Sequence, residues 1–105
     1  MTTIEAQKAD LLQQMEDTAN SENWELLEQL ARRGLEMDPT WFDAATRWQA
    51  ACIEIAARDA EHEPWAASMG YISYATAAEN VKQSVMRALE ANRLVRRLVD
   101  AQQTQ

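Results

Sequence analysis

The chain has 105 residues, 47% of them hydrophobic, with only two glycines and two prolines and a net charge of −7. A chain of this size forms one domain, and its acidity argues against nucleic-acid binding, because neutralising phosphates requires clustered Lys and Arg. No apolar run approaches the roughly 18 residues of a membrane span.

The single cysteine, Cys52, excludes an intramolecular disulfide and fits a reducing compartment. The opening Met-Thr-Thr-Ile-Glu has no basic region before an apolar run, so no signal peptide is expected. The expected localisation is cytoplasmic.

A first helix is expected from Thr2, because Thr2 and Glu5 have the spacing of a capping box. Ile4, Leu11, Met15 and Ala19 share its apolar face. Asn20-Ser21 stops it, and Ser21 is the candidate cap of a second helix running from about Glu22 to Met37. There Trp24, Leu27, Ala31 and Leu35 line one side, broadened by Leu30. Gly34 interrupts that pattern at a cost of about 1 kcal/mol relative to Ala. Close approach of a neighbouring helix and early fraying both account for it.

Asp38-Pro39 is the clearest break, with Asp38 as a candidate N-cap and Pro39 suited to a first helical position. A third helix is expected to about Ala60, with Trp41, Ala45, Trp48, Cys52 and Ile55 at bundle-seam spacing. Glu61-His62-Glu63-Pro64 reads as the next break. A long last helix then runs from Pro64 to about Gln102, with a kink at Gly70. Tyr74, Ala78, Val81, Val85, Ala88, Asn92, Val95 and Val99 form its heptad-like stripe. Each of the four tryptophans, Trp65 included, falls where an apolar stripe needs a large residue.

These elements predict an all-α fold: an antiparallel up-and-down bundle of about four helices with a long C-terminal helix. It occupies residues 1–102 as one domain, with 103–105 a frayed tail.

Candidate chemistry is sparse. His62 lies between Glu61 and Glu63, but no further ligands stand at metal-binding spacing. There is no Gly-rich phosphate loop and no Cys-x-x-Cys or Glu-x-x-His motif. No catalytic residue, metal or cofactor is therefore expected, and the chain reads as a non-enzyme.

The end of the last helix carries more information. Ala91, Leu94 and Leu98 widen the Val95/Val99 stripe to about half the circumference, beyond the roughly 100° that one groove covers. Five of the six basic residues after position 50 lie between Lys82 and Arg97, against the single acid Glu90. Either this helix packs between two others, or part of the arc docks a partner helix or forms a homodimer. The partner-binding candidates are Leu94, Val95, Leu98 and Val99 as anchors, with Arg93 and Arg97 as electrostatic guides. Asn92 on the core stripe is suited to fixing register or partner choice.

Two segments carry a family resemblance. Leu11-Leu12-Gln13-Gln14-Met15, followed by the run from Asn23 through Trp24, Leu27 and Leu30 to Arg33, resembles the opening of flagellar export chaperones of the FliT type. Ala88-Leu89-Glu90-Ala91-Asn92-Arg93-Leu94-Val95-Arg96-Arg97-Leu98 resembles the late helix of FliT and FlgN chaperones. The matches cover about a third of the chain, and the segment from Pro39 to Tyr74 lies outside them. The resemblance implies a helical bundle that shields an aggregation-prone helical segment of a filament protein before export. Two other classes compete with it. One is an acidic inhibitor, for example phage-encoded, that occupies a basic or nucleic-acid-binding surface. The other is a helical bundle that binds a small ligand among its Trp and Tyr side chains.

Overall fold

The structure, a computed structural model, describes residues 3–103. Four helices follow in order: α1 (Ile4–Asn20), α2 (Trp24–Met37), α3 (Phe42–Ser68) and α4 (Tyr74–Gln103). The bundle is all-α, with the last helix the longest, as the sequence predicts.

Local chemistry sets the helix starts, at places partly different from those expected. Thr2, the expected cap, lies outside the described residues. Thr3 caps α1, its hydroxyl accepting from the Ala6 N–H at 3.1 Å. Ser21 does not cap α2. Glu22 takes a left-handed φ of 57°, which is incompatible with a first helical turn, so the cap passes to Asn23. Its side-chain oxygen accepts from the Leu26 N–H at 3.3 Å.

Asp38 does not cap α3 either. Its carboxylate accepts from the Thr40 N–H (3.0 Å) and hydroxyl (2.8 Å), closing a local turn. Trp41 becomes the N-cap and makes no side-chain capping bond.

The largest departure concerns Pro64. The expected break there is absent, and α3 runs through it to Ser68. A proline inside a helix costs one backbone hydrogen bond, and packing offsets that loss. Ala66 and Ala67 beyond it are buried, and Glu63 beside it accepts from Asn80 of α4 at 3.2 Å. The chain reverses instead at Met69–Ser73, where Gly70 has a φ of +81°. The expected kink at Gly70 is thus a full turn between two helices.

α3 and α4 form a long antiparallel hairpin. Three side-chain hydrogen bonds cross it: Gln49 Nε2 to Asn92 Oδ1 (2.9 Å), Ser84 Oγ to Asp59 Oδ2 (2.5 Å), and Asn80 Nδ2 to Glu63 Oε2. As the α3 number rises the α4 number falls, so these rungs also fix the register.

α1 and α2 pack against the first half of α3. Leu11, Met15, Leu27, Leu30, Ala31, Ala44, Trp48, Ala51 and Cys52 form the core there, joined by Ala91 of α4. Gly34 belongs to this joint. A Cβ built on it would lie 2.8 Å from the Trp41 ring and 3.1 Å from Ala44 Cβ, so close approach is the reason for the glycine and fraying is not. Lys8 sits over the same Trp41 ring, 5.2 Å from its centroid, and pairs with Asp38.

The core is less aromatic than the sequence implies. Of the four tryptophans only Trp48 is buried; Trp24 and Trp41 are half-buried at its edge, and Trp65 is 51% exposed. Alanines fill much of the α3 interface instead, which brings the helices close together.

Candidate partner-binding groove

The backbone of α4 comes close to that of α3 and of no other helix among the described residues. The hairpin therefore has one covered flank and one bare flank. On the covered flank, Arg47 and Arg58 of α3 pair with Glu16 of α1 and Glu25 of α2. Ile53 and Ala60 project from roughly the opposite side of α3, at about 100° of rotation per residue.

On that bare side a groove runs between α3 and α4. One stretch, of about 630 Å³, is lined by Ala60 and Pro64 of α3 and by Tyr74, Val81, Val85 and Met86 of α4, among others. The next, of about 310 Å³, continues past Val85 between Ile53, Ala56 and Leu89 to Gln49 and Asn92. Side chains exposed along it include Ile53, Tyr74, Val85, Met86 and Leu89. A run of large apolar side chains on one face of a small protein marks an interaction surface.

The expected anchors are placed differently. Leu94 and Leu98 are half-buried and lie on the flank from which Arg87 reaches Glu28 of α2. Leu94 packs against the core. Val95 and Val99 are also half-buried, while Arg93 and Arg97 are exposed. The bare apolar surface is thus centred about three turns upstream, at Val81–Leu89. Asn92 is half-buried and bonded to Gln49, consistent with the register role expected of it.

The signal for the groove was present in the sequence, as the Tyr74, Ala78, Val81 and Val85 stripe. Periodicity marked that stripe as apolar, but it did not show that α1 and α2 would cover only the other flank of the hairpin. Ala78 and Val85 are exposed for that reason.

A second feature was not anticipated: a polar hub inside the core. Glu28 is 8% exposed. Its Oε2 accepts from the Trp48 indole N–H at 3.1 Å and from the Cys52 thiol at 3.5 Å, and its Oε1 faces Arg87 at 3.3 Å. Burial, then the Glu28 charge, pushes the Cys52 thiol up to about 12. A cleft of about 300 Å³ lies beside the hub, lined by Arg32, Leu35, Glu36, Trp48, Arg87 and Glu90. Its two cations and two carboxylates balance.

His62 stacks at a tilt on Trp65, 5.6 Å between ring centroids, at the far end of the hairpin. No helix among the described residues is long and apolar enough to cross a membrane. No family model matches the chain, and neither the curated proteins nor the solved structures contain a match to it.

Proposed function

We propose that this chain is a non-enzymatic cytoplasmic adaptor or chaperone that holds an amphipathic helical segment of another protein in the α3–α4 groove. One observation carries the reading: the groove is apolar along several turns of both helices and no other helix among the described residues covers it. A groove of this shape takes a helix through apolar anchors at i, i+3, i+4 and i+7. Ile53, Val81, Val85 and Leu89 would supply its floor and lips. The client class that the FliT and FlgN resemblance implies is an aggregation-prone helical segment of a flagellar export substrate.

The charge-mimic alternative draws less support. It needs the acids of the first two helices gathered on one exposed face. Three of those acids, Glu16, Glu25 and Glu28, pair with Arg47, Arg58 and Arg87, and Asp38 just after α2 pairs with Lys8.

The test is binding of labelled amphipathic peptides, taken from helical segments of flagellar filament proteins, followed by fluorescence anisotropy. Val85→Glu/Leu89→Glu should abolish binding with the helical circular dichroism unchanged. Leu94→Glu/Leu98→Glu should act mainly on stability, because Leu94 packs against the core and Leu98 is half-buried on the same flank. Peptide binding that survives the first pair, in a folded protein, removes the groove as the site.

A further inference from the structure

We propose that, without a client, the outer lip of this groove is covered by α4 of a second copy, the two α4 helices running antiparallel about a two-fold axis at Met86. The proposal rests on reading the groove as a helix-binding surface and names an occupant for it.

The argument comes from charge placement. Glu79, Lys82, Met86, Glu90 and Arg93 are spaced by three, four, four and three residues, so they fall along one line on α4. Met86 on that line is 53% exposed. Across an antiparallel two-fold at Met86, the residue four before it faces the residue four after it, and likewise at seven. Lys82 then meets Glu90 of the second copy, and Glu79 meets its Arg93. Symmetry repeats both pairs, giving four ion pairs and no like-charge pair along the line.

Within the chain these charges form no salt bridge among the described residues, although Glu90 also borders the cleft beside the hub. Lys8, Arg47, Arg58 and Arg87 each pair with a carboxylate, whereas Glu79, Lys82, Glu90 and Arg93 make no ion pair among the described residues. Glu79 only accepts a hydrogen bond from its own neighbour Gln83, at 2.7 Å.

The apolar side chain beside the line fits the same axis. Leu89, exposed and roughly 60° round α4 from the line on its groove side, flanks Met86 in the seam, whereas Val81 and Val85 lie further round, in the groove itself. The parallel alternative would set Lys82 beside Lys82, Glu90 beside Glu90 and Arg93 beside Arg93, so the charges choose the direction as well as the register.

Sedimentation equilibrium of the full chain, from low micromolar to near-millimolar concentration, tests this. The wild type should be a dimer. Lys82→Glu alone and Glu90→Lys alone should each weaken it about tenfold or more, since each reversal acts twice. The Lys82→Glu/Glu90→Lys double variant should recover most of the loss. Leu89→Glu, on an exposed position that leaves the fold intact, should be monomeric throughout.

A wild-type chain that is monomeric at every concentration overturns the proposal, as does a dimer that neither reversal weakens. Peptide binding is measured separately on the monomeric charge variants. Failure to dimerise with peptide binding intact sinks the second-copy occupant alone, and dimerisation without peptide binding sinks the client reading alone.

Discussion

Trp48 of α3 donates its indole N–H to Glu28 of α2 across 3.1 Å, within a core otherwise made of Leu, Met, Ala and Cys52. A buried carboxylate is tolerated only when its oxygens are fully engaged. Here Trp48 and Cys52 occupy Oε2 and Arg87 faces Oε1. Glu28→Ala should cost about 3 kcal/mol, because it strands the indole N–H and leaves Arg87 without its partner. Glu28→Gln keeps an acceptor for Trp48 and should cost less. Urea unfolding followed by Trp fluorescence measures both, and equal losses for the two variants would show that hydrogen bonding at this hub is irrelevant.

Cys52 should be chemically silent in the native protein. It is buried, and burial together with the Glu28 charge pushes its thiol up to about 12, so almost no thiolate exists at neutral pH. Labelling with an alkylating reagent at pH 8 should be slow and should follow global unfolding as urea is added. Fast labelling in buffer would mean that the α2–α3 interface opens locally.

Gly34 predicts a reversal of ordinary helix propensity. Gly→Ala inside a helix gains up to about 1 kcal/mol. At this position the added Cβ would meet the Trp41 ring at 2.8 Å, an overpacking of a kind that costs about 1–3 kcal/mol. The net result expected for Gly34→Ala is a loss of about 1 kcal/mol. Gly34→Ala in a Trp41→Leu background should show the propensity gain instead. A double-mutant cycle by thermal unfolding reads the difference.

Asp38 should govern part of the acid limb of stability. The hydrogen bond from Lys8, then those from Thr40, hold its carboxyl down at about 2, against 3.8 for the free group. A folded-state pKa below the unfolded one stabilises the native protein above the unfolded value. That contribution is lost as pH falls through the folded one. It is therefore complete above about pH 5, falls progressively below that, and is gone at about pH 1. Lys8→Met should flatten the profile in that window and leave its shape near neutrality unchanged, as measured by midpoints of urea unfolding across pH.

Helix content, helix order and the long last helix were legible because apolar periodicity of 3.6 residues is a local property. Helix ends were less so. Glu22 and Asp38 adopt backbone conformations set by their turns, and capping patterns alone do not weigh those turns against each other. Pro64 reads as a stop in any local analysis, and only the packing of Ala66 and Ala67 explains its place inside α3. The site was half legible. α4 carries excess apolar surface, as expected, but which flank stays bare depends on where α1 and α2 dock. Leu94 packs on the core and Leu98 is half-buried, while Val85 and Leu89 stayed out. The Glu28 hub left no trace, because a Glu in a helix rich in charged residues looks like any solvated one.

The hub draws its donors from positions far apart in the chain: residues 48 and 52 on one helix and residue 87 on another. During synthesis the carboxylate emerges well before its cation does. A nascent chain that stops short of Arg87 must bury that carboxylate without its cation or leave it in water. The first three helices should thus stay more loosely associated until the fourth arrives.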